Sequence, residues 1–292
     1  MENKMIKLND GYEIPQLGLG TWLVTGEDCY NNVLNALKIG YRHIDTAEVY
    51  ENLKEIGRAI RDSFIPRKEI YVTTKVWFTD YNKKNIEESI NYQLEEIGLE
   101  YFDLVLLHKP YSNYLEGWKA LVELKKTGKV HSIGVSNFNQ KKLNKILSLN
   151  TVIPAVNQVD CNCLIQRKEF KKYLAEYGIK IASASPLGHG RDGLLKHPVL
   201  EEIGIKYNKS TAQVVLRWQI QENNIIVPKS LLLNHLQQNF EIFDFSLTEE
   251  EMEKIRALNK EKTMDNIPMW IQYIAFIFVG IKTKRIRRNS TK

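Results

Sequence analysis

Residues 85–108, NIEESINYQLEEIGLEYFDLVLLH, hold in one stretch the phrase from which the fold is built. Ile86, Ile90, Leu94 and Ile97 recur at helical spacing on one face, and Gly98 supplies the residue type that commonly ends a helix. The run FDLVLLH that follows from residue 102 is almost continuously apolar, which suits a parallel strand buried on both faces.

The phrase repeats along the chain. LGLG at 17, RHID at 42, IYVTTK at 70, VHSIGVS at 130, AVNQVD at 155, KIASAS at 180 and NIIVP at 224 bring the candidate strands to eight. They start about 25 to 32 residues apart until a longer last interval, with helical patterns closing at Gly40, Gly128 and Gly178 between them. Right-handed crossovers between eight parallel strands close most economically into an α/β fold, a single (β/α)8 TIM barrel. An open doubly wound sheet is the alternative. MIKL and YEIP flank Asn9-Asp10-Gly11, which predicts an N-terminal β-hairpin able to plug one barrel end. No Pro-, Gly- or Ser-rich linker divides the chain, so residues 1–263 are expected to form one domain and 264–292 an atypical C-terminal tail.

Composition narrows the function classes. With 43% hydrophobic and 26% charged residues in 292, fibrous, disordered and disulfide-scaffold proteins are excluded. Lys282, Lys284, Arg285, Arg287, Arg288 and Lys292 account for the whole net charge of +6, so residues 1–281 are net neutral and no nucleic-acid groove is expected. Three cysteines, Cys29, Cys161 and Cys163, are too sparse for a secreted framework, and MENKMIKLND lacks an apolar leader core; a cytoplasmic protein is expected. Ile267 to Ile281 is apolar but short of the roughly 20 residues that span a bilayer. The tail is expected to pack on the body, with an interfacial membrane contact as the alternative.

In a barrel, function is read at the C-terminal strand ends. Here they carry Asp45, Lys75, His108, Ser136-Asn137, Gln158, Ser185 and Lys229-Ser230, with Tyr50 in the loop after Asp45. An acid, a base, an imidazole and a phenol on one rim point to proton transfer. A phenol near its ordinary pKa of about 10 is a poor donor at neutral pH, and an ammonium beside it brings that value down. Lys75 is placed to supply the charge, and Asp45 to keep Lys75 ionised.

The residues that carry this chemistry resemble the aldo-keto reductase family over roughly residues 5 to 260. GLGTW at 18–22, GYRHIDTAEVYEN at 40–52, TTKVW at 73–77, LLHKP at 106–110, GVSNF at 134–138, VNQVD at 156–160, SPLG at 185–188 and VPKS at 227–230 fall in the family's order. The resemblance implies a barrel that binds NADPH, with NADH as the alternative, and reduces aldehydes or ketones without metal. Gly18 and Gly20 are followed by Leu23, not by a third glycine, so no Rossmann fingerprint competes with this. It further implies Tyr50 as proton donor, Lys75 and Asp45 as its tuners, and His108 as the group orienting the carbonyl. Ser136, Asn137 and Gln158 would hold the carboxamide, Gly20, Thr21, Trp22 and Asp45 would lie along the cofactor, and Ser185 and Leu187 would meet the pyrophosphate. Lys229, Ser230, His235 and Asn239 would meet the adenosine phosphate end, and Trp22, Tyr50, Trp77, His108 and Lys109 would line the substrate pocket.

Four departures from the family pattern stand out. Ala184 takes the place of the aromatic ring that usually stacks on the nicotinamide, and His235 that of an arginine. Gln238 replaces an acid, and Cys161-Asn162-Cys163 replaces a histidine-proline pair without the spacing of a metal site. The expected function is NADPH-dependent reduction of a small carbonyl compound by a monomer. The alternative is a catalytically weak, cofactor-binding barrel that docks on a membrane or partner through its tail.

Overall fold

The computed structural model describes residues 3–191 and 193–261, together with Val279, Lys282, Thr283 and Arg287. The apolar run expected at 267–281 therefore lies outside the described residues except for Val279, as does the question of a membrane contact by that run.

A short hairpin opens the chain: β1 (Met5–Lys7) and β2 (Glu13–Pro15) pair antiparallel, Ile6 opposite Ile14. Eight parallel strands follow: β3 (Leu19–Gly20), β4 (His43–Asp45), β5 (Tyr71–Val76), β6 (Phe102–Leu107), β7 (Val130–Ser136), β8 (Val156–Val159), β9 (Lys180–Ser183) and β10 (Ile225–Ile226). Each pairs with the next in chain order. The two ends of the row meet, because Leu17 bridges Ile226 in parallel and Gly18 N donates to Ile226 O at 2.8 Å. Gly20 N donates to Pro228 O beside this seam, and a Cβ on Gly20 would stand 2.6 Å from Val227 O, so that position admits only glycine.

Around the strands run α1 (Gly26–Ile39), α2 (Leu53–Asp62), α3 (Lys83–Ile97), α4 (Tyr114–Lys125), α5 (Gln140–Leu147) and α6 (Lys168–Glu176). α7 (Pro198–Tyr207) and α8 (Thr211–Gln221) both fall between β9 and β10, which is why the last strand interval is long. α9 (Leu233–Phe240) and α10 (Glu249–Arg256) follow. The predicted face of α3, Ile86, Ile90, Leu94 and Ile97, is buried; Asn82 caps its start and left-handed Gly98 ends it. α4 stops at Lys125, earlier than Gly128 suggests, because the chain turns through Lys126 and Thr127 before the glycine.

Strand alternation divides the core into two. Tyr71, Leu104, Leu106, Val156, Ala182 and Ile225 face the lumen and pack with Ile6, Leu8 and Ile14, so the hairpin fills the barrel floor. Val72, Val76, Val105, Leu107, Ile133 and Val135 face outward against the helices. Both faces are dry, as near-continuous apolar strands require.

Candidate active site

The same alternation fixes where the polar strand ends point. In phase with Tyr71 on β5, Lys75 turns into the lumen. Asp45, His108, Ser136 and Gln158 occupy equivalent lumen-facing positions on or just beyond β4, β6, β7 and β8. Lys75 is 1% exposed, and its Nζ donates to Asp45 Oδ1 at 2.5 Å and to Thr46 O at 3.0 Å. Gln158 Nε2 donates to the other carboxylate oxygen, Oδ2, at 2.7 Å.

Tyr50 closes a single helical turn, Glu48–Tyr50, just past β4. Lys75 Nζ stands 5.1 Å from the centroid of its ring. His108 meets the Tyr50 ring edge-on with centroids 5.8 Å apart, and Trp77 meets His108 likewise at 4.8 Å. Asp45, Tyr50, Lys75, Trp77 and His108 are thus one cluster.

Its electrostatics follow from burial and charge. Burial works to lower the Lys75 pKa, but the Asp45 charge and then Tyr50 outweigh it, leaving Lys75 above its ordinary value and cationic. Burial raises the Tyr50 phenol, and Lys75 is the largest opposing influence, with Asp45 adding to the rise. The ammonium therefore offsets the cost of desolvation at Tyr50 without bringing the phenol below its ordinary value. Burial, then Lys75 and Lys109, push His108 well below its usual range, so the imidazole is neutral. His108 Nδ1 is buried with no hydrogen-bond partner. A neutral imidazole beside a protonated phenol suits a ligand oxygen.

A second group of residues lies over the ends of β8 and β9. An open cleft of about 260 Å³ is lined in part by Asp160, Asn162, Ser185, His189, Arg191 and Lys260. The Ser185 hydroxyl pairs with Asp160 at 2.8 Å and with His189 at 2.7 Å. Trp22, 49% exposed, has its ring 6.0 Å from that of His189, and Lys229 Nζ lies 6.0 Å from the Trp22 ring. Arg191 and Lys260 bring two cationic side chains to this open cleft beside the Asp160 carboxylate, which accepts the hydrogen bond of the Ser185 hydroxyl, and the cationic pair suits a phosphate-bearing ligand. That pair fits the dinucleotide that the resemblance implies. Sequence reasoning gave no role to Asp160, although VNQVD ends on it, nor to His189, Arg191 and Lys260; His189 and Arg191 stand just after the SPLG turn, whereas Lys260 lies far from it along the chain.

The remaining expected residues are placed as follows. Thr21 is buried and spends its hydroxyl on Asp45 O, at 2.9 Å. Asn137, at positive φ, bonds Ser136 Oγ at 2.9 Å and His108 O at 3.2 Å, which ties the β6 and β7 loops together. Leu187 is half-buried against the core, and Ala184 sits at the lumen side after β9 with its N–H on Val159 O. Ser230 is half-buried and caps Leu232 N. His235 lies exposed on α9, and no interaction among the described residues joins it to Lys229 or Ser230; Asn239 is buried on the same helix. Trp22 borders the cleft through His189, and makes no ring contact with Tyr50 or Trp77 among the described residues. Both backbone groups of Lys109 are held by the Tyr81 hydroxyl. Cys161 and Cys163 are buried in apolar clusters.

Comparison with known proteins accords with this arrangement. A sequence model described as the aldo/keto reductase family matches residues 16–260. The 9,11-endoperoxide prostaglandin H2 reductase of Trypanosoma cruzi (strain CL Brener) is 42% identical over 266 residues, 90% of this chain and 94% of that protein. The glyoxal reductase of Bacillus subtilis (strain 168) is 40% identical over 265 residues, 90% of this chain and 95% of that protein. The crystal structure of MGS-M4, an aldo-keto reductase enzyme from a Medee basin deep-sea metagenome library, superposes with a TM-score of 0.87 at 41% identity, covering 90% of this chain and 99% of that one.

Proposed function

Because the chain belongs to the aldo/keto reductase family and is an oxidoreductase acting on carbonyl groups, we propose that it reduces small aldehydes and ketones to alcohols with NADPH, Tyr50 donating the proton. The observation that carries this reading is the lumen cluster: a buried Lys75–Asp45 pair at 2.5 Å, an ammonium 5.1 Å from the Tyr50 ring, and a neutral His108 beside it.

When bound, the nicotinamide supplies hydride to the carbonyl carbon. The chain's own part is to place and protonate the oxygen. The His108 imidazole orients it, and Tyr50, protonated at neutral pH, donates the proton from its Oη. The developing phenolate is stabilised by Lys75, whose charge is held by Asp45. Trp77, only 4% exposed and edge-on to His108, forms an apolar wall that limits water around the oxygen. Ser136, Asn137 and Gln158 are the candidates to hold the carboxamide, Ser185 with its cleft neighbours the pyrophosphate, and Lys229 with Ser230 the adenosine phosphate.

The glyoxal reductase relative, together with the aromatic wall, supports a small, electron-poor aldehyde as substrate. The test is fluorescence quenching by NADPH with NADH in parallel, followed by NADPH oxidation on adding glyoxal, glyceraldehyde or benzaldehyde. NADPH binding with turnover is the expected result; absence of turnover with every aldehyde overturns the reading.

A further inference from the structure

The outer face of the strand that carries Lys75 leads to the C-terminal tail. Thr74 turns away from the lumen, and its hydroxyl donates to Gln93 Oε1 on α3 at 2.5 Å. Gln93 Nε2 donates to Ser89 Oγ at 3.0 Å, and Ser89 Oγ donates to Glu48 Oε2 at 2.6 Å. Glu48 opens the very turn that ends in Tyr50. Its other oxygen, Oε1, accepts from Arg287 Nε at 3.0 Å and from Nη2 at 2.6 Å. Arg287 Nη2 also donates to Asp80 Oδ2 at 2.8 Å. Asp80 ends the Phe78–Asp80 turn, and its N–H is bonded to Trp77 O at 3.0 Å.

This is a built contact. The side chains of Glu48 and Asp80 are each 1% exposed and that of Arg287 10%. Tyr92 lies below, its ring centroid 5.9 Å from the guanidinium carbon. A second tail cation, Lys282, reaches Glu51, the residue after Tyr50, at 2.6 Å. Glu51 has φ +55, a left-handed conformation unfavourable for glutamate, so the turn around Tyr50 is one that neighbours must hold. The family match ends at residue 260, well short of Arg287, so this contact comes from outside the matched stretch.

We propose that Arg287 is a positioning residue for the reaction: from outside the barrel it clamps the turn carrying Tyr50 to the turn that follows Trp77, and so fixes the proton donor over the lumen without touching substrate. The inference rests on Tyr50 being the donor. Two carboxylates taken out of water need a shared cation, and a planar guanidinium serves both at once where an ammonium has no such fork. Burial already raises the Glu48 pKa, with Arg287 the largest opposing influence, so Glu48 is costly to leave unpaired. The relieved carboxylate is rigidly tied to Tyr50 two residues away.

The test uses the full chain as wild type, Arg287→Met, Arg287→Lys and the triple variant Glu48→Gln, Asp80→Asn, Arg287→Met. Steady-state kinetics with NADPH and glyoxal, melting temperature, NADPH quenching, and amide exchange over residues 46–52 are measured for each. Arg287→Met is expected to lower kcat by about 10- to 100-fold, with KM and NADPH quenching within about twofold of wild type, and to speed exchange at 46–52. The triple variant, which needs no cation, recovers most of kcat, and Arg287→Lys falls between. Arg287→Met with wild-type kcat and exchange overturns the proposal, as does a triple variant that folds but recovers nothing. A wild type that binds NADPH and turns over no aldehyde overturns the functional reading instead, and exchange at 46–52 still decides whether Arg287 holds the turn.

Discussion

Gln158 donates its amide to the one oxygen of Asp45 that Lys75 leaves unoccupied, at 2.7 Å. The carboxylate is thereby held from two strands, β5 next to β4 in the barrel wall and β8 across the lumen from it. The second Gln158 group, its carbonyl oxygen, makes no hydrogen bond among the described residues, so one side chain joins the Tyr50 cluster to the space beside it.

Gln158→Leu should therefore affect two things at once. Loss of the Asp45 bond and of a free acceptor is expected to lower kcat about tenfold and weaken NADPH binding by a similar factor. Separate measurement of kcat and of quenching checks it; an effect on binding alone would show that the Asp45 bond is idle.

Lys75 and Asp45 form a buried pair, their side chains 1% and 5% exposed. Lys75→Met strands the carboxylate and should cost about 3–5 kcal/mol of stability, with a loss of about 100- to 10,000-fold in turnover. Adding Asp45→Asn should restore much of the stability and none of the activity. Urea unfolding and NADPH oxidation on both variants separate the two roles; equal recovery of both would remove Lys75 from the chemistry.

The pH profile has a definite sign. His108 is held neutral far below its usual range and Tyr50 stays protonated above its own. With Tyr50 as the proposed donor, reduction should be flat from about pH 6 to 9 and fall only as pH rises through the elevated Tyr50 pKa, above the ordinary value of about 10. An acid limb centred near pH 6.5 in kcat/KM would contradict a buried neutral His108.

Lys229 is exposed beside Trp22. If it meets the adenosine phosphate, Lys229→Ala should weaken NADPH binding about tenfold while leaving NADH unchanged. Parallel quenching titrations test this, and equal weakening of both nucleotides would place Lys229 elsewhere on the ligand.

Gly57 marks a close contact between α2 and the end of α3. A Cβ there would lie 1.9 Å from the backbone oxygen of Ile97, which cannot swing aside. Gly57→Ala should destabilise the protein by about 1–3 kcal/mol, read as a lower urea midpoint, by forcing α2 away from α3. An unchanged midpoint would mean that the two helices are not locked at this distance.

Much of this was legible in the sequence, for identifiable reasons. α3 and β6 carry their periodicity on the surface of the text, and the strand-end rule then lines up Asp45, Lys75 and His108 without further help. The bond from Gln158 to Asp45 depends on barrel register, Ser136 opposite Gln158 and Asp45 opposite Thr73, which no local pattern encodes. Asp160, His189, Arg191 and Lys260 come from loops and a helix end that share no period. Arg287 was hidden in a basic run that ordinarily means a solvated surface; its partners lie 239 and 207 residues away. The effect of burial on Tyr50 was also invisible, because charge partners can be guessed from residue types whereas desolvation depends on packing.

The two strands that complete the ring, β3 and β10, are two residues each, and the seam between them is closed by the Leu17–Ile226 bridge and the backbone hydrogen bonds from Ile226 N to Gln16 O, Gly18 N to Ile226 O and Gly20 N to Pro228 O. A row of staves holds as a cylinder only while its first and last members stay joined, and here that joint lies just before Trp22 on one strand and just before Lys229 on the other. A nucleotide lying across both would act as a lace, drawing the first and last strands together. Saturating NADPH should then raise the unfolding temperature and slow amide exchange at Gly18, Gly20 and Ile226 more than at β6, making occupancy of the site part of what keeps the cylinder shut.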